Sequence, residues 1–179
     1  YLLVPDRFAD GRPETDIVSG LREQACGPGP DERHGGDIAG IVDHLDYFTD
    51  LGVTTLWPTP LLVNDMPSCS YHGYAITDYY EVDPRFGTNE DYRRMVEAAH
   101  AHGLKVLQDM VFNHCGSGNF LYTDRPADDW FNHSARFVPT SHCTSAVSDP
   151  HAARSERDAV QRGWFDRNMP DLNQRNPLV

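Results

Sequence analysis

An apolar run at 104–114, LKVLQDMVFNH, carries Asp109 and closes on Asn113 and His114. Its near-continuous apolar character suits a strand buried on both faces, as in a parallel sheet. A carboxylate inside such a strand is costly unless its lone pairs and charge are satisfied. Two readings follow: a core strand with one paired structural aspartate, or a site. The polar pair where the strand would end favours the site, because barrel chemistry gathers at strand C-termini. A second set, Asp10, Asp16 and Asp37, lies in a stretch rich in Gly and Pro. These oxygen donors suit a hard cation such as calcium. They equally suit a solvated acidic loop in which Asp37 caps the following helix. A third stretch, 59–87, holds Tyr71, His72, Tyr74, Tyr79, Tyr80 and Phe86. Such rings on a strand-end loop can pack on the C–H face of a sugar while its hydroxyls take hydrogen bonds. Tyr79, Tyr80 and Phe86 are read more simply, as anchors of the loop.

The elements that must hold these residues follow from periodicity. Residues 1–5 read as a short apolar strand. Ile38, Ile41, Val42, Leu45, Phe48 and Leu51 fall on one face of a helix, and Gly52 stands where a left-handed C-terminal cap belongs. VTTLW at 53–57 is β-branched and apolar, a second strand closed off by Pro58 and Pro60. Thr88 with Asp91 spells a capping box. The helix it starts buries Tyr92, Met95, Val96 and Ala99 and ends at Gly103. The run at 105–112 is the third strand. Strands alternating with helical crossovers predict a parallel sheet with right-handed connections. After His114 the periodicity fades: only 155–162 looks helical, and 115–179 reads as an irregular excursion whose end folds back.

At 179 residues and 39% hydrophobic, the chain can bury one sizeable core. Its net charge of −12, with no basic cluster, argues against nucleic acid or an anionic membrane as partner. No apolar run is long enough to span a bilayer. No signal pattern opens the sequence, and Tyr1 starts directly in an apolar strand-like run, YLLVP, so a longer parent chain is expected. Cys26, Cys69, Cys115 and Cys143 show no metal or redox spacing; they are expected to be unpaired, and their possible pairings are indistinguishable.

Taken together, the motifs resemble the catalytic region of the α-amylase superfamily, glycoside hydrolase family thirteen. The likeness is nearest to its neopullulanase, cyclomaltodextrinase and maltogenic-amylase branch. VPDRFADG resembles that family's first strand and loop, RHGGDIAGI the entry to its first helix, and YHGYAITDYYEVDPRFGT the loop after its second strand. DMVFNH matches a short family signature, and MPDLNQRNP resembles another within an inserted domain. The resemblance implies an α/β fold, a (β/α)8 TIM barrel of which only the first three βα units are present. Residues 1–112 would belong to the barrel and 113–179 to an irregular inserted domain B.

It also implies roles. Tyr74 would stack on the sugar at the cleavage subsite, with His72 beside it, and His114 would hydrogen-bond the same sugar. Asp109 would organise the site rather than react. Calcium would be held by Asn113 and Asp171, or by Asp10, Asp16, Asp37 and the Gly35 carbonyl. Two departures stand out: the branch often has lysine at the position of Asp171, and an Asn and an Asp at those of Asp10 and Arg12. A guanidinium cannot ligate a cation, so the first loop's site would be weakened or filled by Arg12.

A retaining glycosidase needs two carboxyl groups about 5 Å apart. In this family they come from the fourth and fifth strands, so no catalytic carboxylate lies within this sequence. The implied activity is retaining hydrolysis of α-1,4-glucosidic bonds in starch-derived oligosaccharides, cyclodextrins or pullulan. The fragment alone would be inactive, needing the remainder of its own barrel, and the longer enzyme leaves room for a homodimer. The alternatives are a transglycosylase or α-1,6-glucosidase on the same fold, and a non-catalytic glucan-binding relative.

Overall fold

A computed structural model describes residues 1–25 and 27–179; Cys26 and any pairing it makes lie outside them. Three short strands, β1 (Leu2–Leu3), β2 (Thr55–Pro58) and β3 (Lys105–Val106), form a parallel sheet in that order. The register pairs Leu2 with Trp57 and Leu56 with Val106. Slanted backbone bonds such as Trp57 N–H to Tyr1 O, 2.9 Å, and Leu107 N–H to Leu56 O, 2.9 Å, hold it. Helices α1 (Ile38–Asp43) and α2 (Leu45–Asp50) link β1 to β2, and α3 (Asn89–Ala101) links β2 to β3.

One core joins sheet and helices. Leu3 and Leu56 pack with Ile38, Ile41, Phe48 and Met95, all at most 3% exposed. The expected single helix is two, broken at His44 (φ −118°, ψ 22°), whose Nδ1 lies 2.8 Å from the Gly40 carbonyl oxygen. The break preserves the apolar face through Ile38, Ile41, Leu45 and Phe48, all buried, while Leu51, expected on the same face, lies past the end of α2 and is 56% exposed. Packing decides the burial, and local hydrogen bonding decides the helix length. Gly52 takes φ +78° after α2, in the left-handed region expected of it.

The third strand is shorter than its apolar run suggests, and it is not buried on both faces. Leu107 is 53% and Met110 37% exposed; the helices cover the opposite face, where Val106 meets the core. The anchoring read for the 59–87 rings holds for Phe86, which is buried, and fails for Tyr80, which is 80% exposed. Tyr80 N–H turns back on Asp78 Oδ1 at 2.8 Å, a local loop bond that leaves the ring outside the core.

The chain divides into two units, Tyr1–Met110 and Val111–Val179. The second holds three short helices, α4 (Phe120–Thr123), α5 (Ser145–Ser148) and α6 (Arg154–Arg162), tied by isolated bridges. Two of the helices are single turns that periodicity could not register. The unit's core is aromatic: the Tyr122 ring meets Phe131 and Trp164 edge-on, with centroids 5.3 and 5.8 Å away. Cys115 and Cys143 carry free thiols, and burial pushes the Cys115 thiol up to about 12. Among the described residues no helix is long and apolar enough to cross a membrane.

Candidate active site

In the first unit, Asp109 follows β3 and Trp57 lies in the neighbouring strand. Trp57 Nε1 donates to Asp109 Oδ2 at 3.0 Å, and the Tyr74 hydroxyl donates to the same oxygen at 3.1 Å. Burial raises the pKa of Tyr74, and the charge and hydrogen bond of Asp109 raise it further, so the phenol keeps its proton. His72 Nδ1 accepts the Tyr74 backbone N–H at 2.9 Å, which leaves Nε2 to carry the imidazole proton as a donor. The two rings stack, with centroids 5.8 Å apart. Between them, Gly73 has φ +83°, and a Cβ there would strike the Pro60 carbonyl. The constellation therefore offers an aromatic face, an imidazole donor and an oriented carboxylate.

Asp37 caps α1: its Oδ1 accepts from Gly40 N–H at 2.7 Å and from Gly11 N–H at 3.1 Å. Its Oδ2 and Asp16 Oδ1 are buried, with no hydrogen-bond partner among the described residues. Gly35 at φ +93° brings its backbone against the Asp16 carboxylate. Burial raises the pKa of Asp16, and the charges of Asp10 and Asp37 add to it; Asp37 is raised by burial and then by Asp10, against its backbone bonds. Arg12 does not fill this loop, because its guanidinium pairs with Asp91 at 3.1 Å. Among the described residues no three His, Cys, Asp or Glu side chains close round one point. Two orphaned carboxylate oxygens beside a glycine nevertheless fit a hard cation completed by carbonyl or water oxygens.

In the second unit, His114 and Asp171 form an antiparallel bridge, and Leu172 N–H donates to the Asn113 carbonyl at 2.9 Å. Asn113 Nδ2 lies 3.1 Å from His114 Nδ1, and the imidazole stacks on Phe165 at 5.6 Å between centroids. Asp171 is 2% exposed, and its Oδ2 accepts from Asn132 Nδ2 at 2.8 Å. Burial pushes its carboxyl up to about 6.

Trp57, Asn132 and Phe165 escape a reading by motif. Trp57 had a usable signal: a tryptophan closing a short strand before proline, with an indole donor that needs an acceptor. Asn132 and Phe165 lie in irregular chain and are brought in only by tertiary contact.

A parallel sheet with helical crossovers on one face, and polar groups at its C-terminal strand ends, marks the βα-barrel class. The chain belongs to the α-amylase family: residues 2–179 match the family profile described as alpha amylase, catalytic domain. It is 40% identical over its full length to the cyclomaltodextrinase of Geobacillus thermopakistaniensis, covering 29% of that protein. It is also 40% identical over 93% of its length to neopullulanase 2 of Thermoactinomyces vulgaris, covering 30% of it. The solved α-amylase of Anoxybacillus superposes on 99% of the chain with a TM-score of 0.79 and 34% identity, over 34% of that structure. The chain thus spans under a third of the curated relatives it matches.

Proposed function

We propose that the protein is a glycoside hydrolase that cleaves α-1,4-glucosidic bonds of starch-derived oligosaccharides, cyclodextrins or pullulan with retention. The observation that carries this reading is the shared Asp109 oxygen, held by both Tyr74 and Trp57 at the strand ends. Tyr74 gives a glucose ring a face to stack on, and the His72 Nε2–H gives one of its hydroxyls a donor. His114, in the second unit, is a hydrogen-bonding side chain for glucan hydroxyls. Asp109 orients Tyr74 through its hydroxyl. The nucleophile and the acid/base belong to strands outside these 179 residues, in keeping with the fraction of each relative that the chain spans. Calcium, where bound, serves structure: Asp16, Asp37, Asp10 and the Gly35 carbonyl would hold it in the first loop, and Asn113 with Asp171 in the second unit. There it would neutralise buried carboxylates.

The test uses the full-length chain with maltoheptaose, panose and pullulan, followed by product analysis. Maltooligosaccharides of retained α-configuration are expected from maltoheptaose. His114→Ala should lower kcat/KM on it by about 100-fold, the scale of losing a charge-stabilising hydrogen bond at the transition state. An unchanged kcat/KM would remove His114 from the site. Cleavage of panose only at its α-1,6 bond would replace the α-1,4 reading.

A further inference from the structure

The loop that delivers His72 and Tyr74 is gripped by charged side chains at Cys69 and Ser70. Ser70 is fully buried. Its N–H donates to Glu23 Oε2 at 2.6 Å, and the Cys69 N–H donates to Glu23 Oε1 at 3.1 Å. Its carbonyl accepts from Asn64 Nδ2 at 3.1 Å and from Arg33 at 3.3 Å. Its hydroxyl oxygen lies 3.3 Å from guanidinium nitrogens of both Arg33 and Arg85.

Arg85 is itself fully committed. It donates to the Glu23 carbonyl at 2.6 Å, to the Asn64 carbonyl at 2.9 Å and to both oxygens of Asp83 at 2.8 and 2.6 Å. Arg33 and Arg85 are each 1% exposed. Two buried guanidinium groups converging on one hydroxyl is an expensive arrangement that apolar packing would replace at lower cost. It acts on a loop, where chain is ordinarily mobile. The loop's turn is also conformationally demanding, with φ +55° at Cys69 and +83° at Gly73 bracketing Ser70–His72. These tethers end at Cys69 and Ser70, and Ser70 lies two residues before His72 and four before Tyr74.

We propose that Glu23, Arg33 and Arg85 are positioning residues that fix Ser70 and thereby set His72 and Tyr74 for the sugar at the cleavage subsite. This rests on the hydrolase reading above. Glu23 is the informative member because it holds two consecutive backbone N–H groups from a half-buried position, so replacing it leaves the buried Arg85–Asp83 pair in place.

The experiment compares the wild-type full-length chain with Glu23→Gln, whose amide NH2 cannot accept the second N–H, and with Ser70→Ala, which deletes only the hydroxyl. Hydrogen exchange read by mass spectrometry is expected to speed up at 69–74 in both variants while 89–101 stays protected. On maltoheptaose, kcat/KM should fall by about 10- to 100-fold, the scale of a small misplacement of a binding group. Unchanged exchange at 69–74 overturns the proposal. So does faster exchange with unchanged kcat/KM, or faster exchange spread evenly over 1–110, which is what a general structural role would give. A wild-type chain inactive on every glucan would sink the hydrolase reading instead. The two failures are distinguishable because the exchange comparison needs no turnover.

Discussion

Burial holds the Asp171 carboxyl neutral up to about pH 6, and the Asn132 amide offsets part of that effect. The folded value lies above the ordinary 3.8, so ionising this group opposes folding. The stability that goes with the neutral form is complete below about pH 4 and is lost as pH rises through about 6. In chelator, Asp171→Asn should therefore raise the denaturation midpoint of the full-length protein at pH 8 and leave it nearly unchanged at pH 4. Equal shifts at the two pH values would refute burial as the cause. Adding calcium at pH 8 should stabilise the wild type more than the Asn variant, since the cation neutralises the oxygen that the variant lacks. At Asp109 the situation differs. Its Oδ2 receives an indole and a phenol donor, so the carboxylate is satisfied without a second charge.

Helix α3 owes its start to a reciprocal pair of bonds. Thr88 Oγ1 accepts the Asp91 N–H at 3.1 Å, and Asp91 Oδ2 accepts the Thr88 N–H at 2.9 Å. Arg12 joins at the other carboxylate oxygen, and with Thr88 it holds Asp91 down to about 2. The box matters beyond the helix because α3 buries Met95 and Ala99 in the core under β2 and β3, whose ends carry Trp57 and Asp109. Thr88→Ala should destabilise by about 1 kcal/mol, visible as a lower Tm with little change in KM. A large rise in KM without loss of Tm would mean that the cap reaches the site by another route. The pair α1 and α2 behaves differently: the backbone breaks at His44, yet the buried face runs on through both.

Across the whole molecule, apolar side chains stay open to solvent on each unit. Trp57 and Leu107 are half-exposed in the first, and Phe112 is 71% exposed in the second. The sheet has three strands, and β3 is an edge. An exposed strand edge beside apolar side chains invites pairing with other chains. Residues 1–179 produced alone should bind a hydrophobic dye, elute in gel filtration at a size that grows with concentration, and hydrolyse no glucan. A monomer that binds no dye would show that these surfaces are shielded.

Much of this was readable in the sequence because it depends on near neighbours. The capping box at Thr88 and Asp91, the left-handed Gly52 and the apolar face of 38–48 each rest on contacts a few residues apart. The parallel order of strands, though its pairings are distant, follows from strands alternating with helical crossovers along the chain. The family motifs singled out Asp109, Tyr74 and His114 as expected site residues by their spelling, and the structure joins Tyr74 to Asp109. What the sequence could not contain was decided by long-range contact. Trp57 reaches Asp109 across 52 positions, Arg12 chooses Asp91 over the acidic loop across 79, and Asn132 finds Asp171 across 39. Such partners have no local signature, because a hydrogen bond between distant residues depends on where the backbone brings them. The same holds for the grip of Glu23, Arg33 and Arg85 on Ser70: each is an ordinary polar residue in the chain, and only burial makes their charges converge.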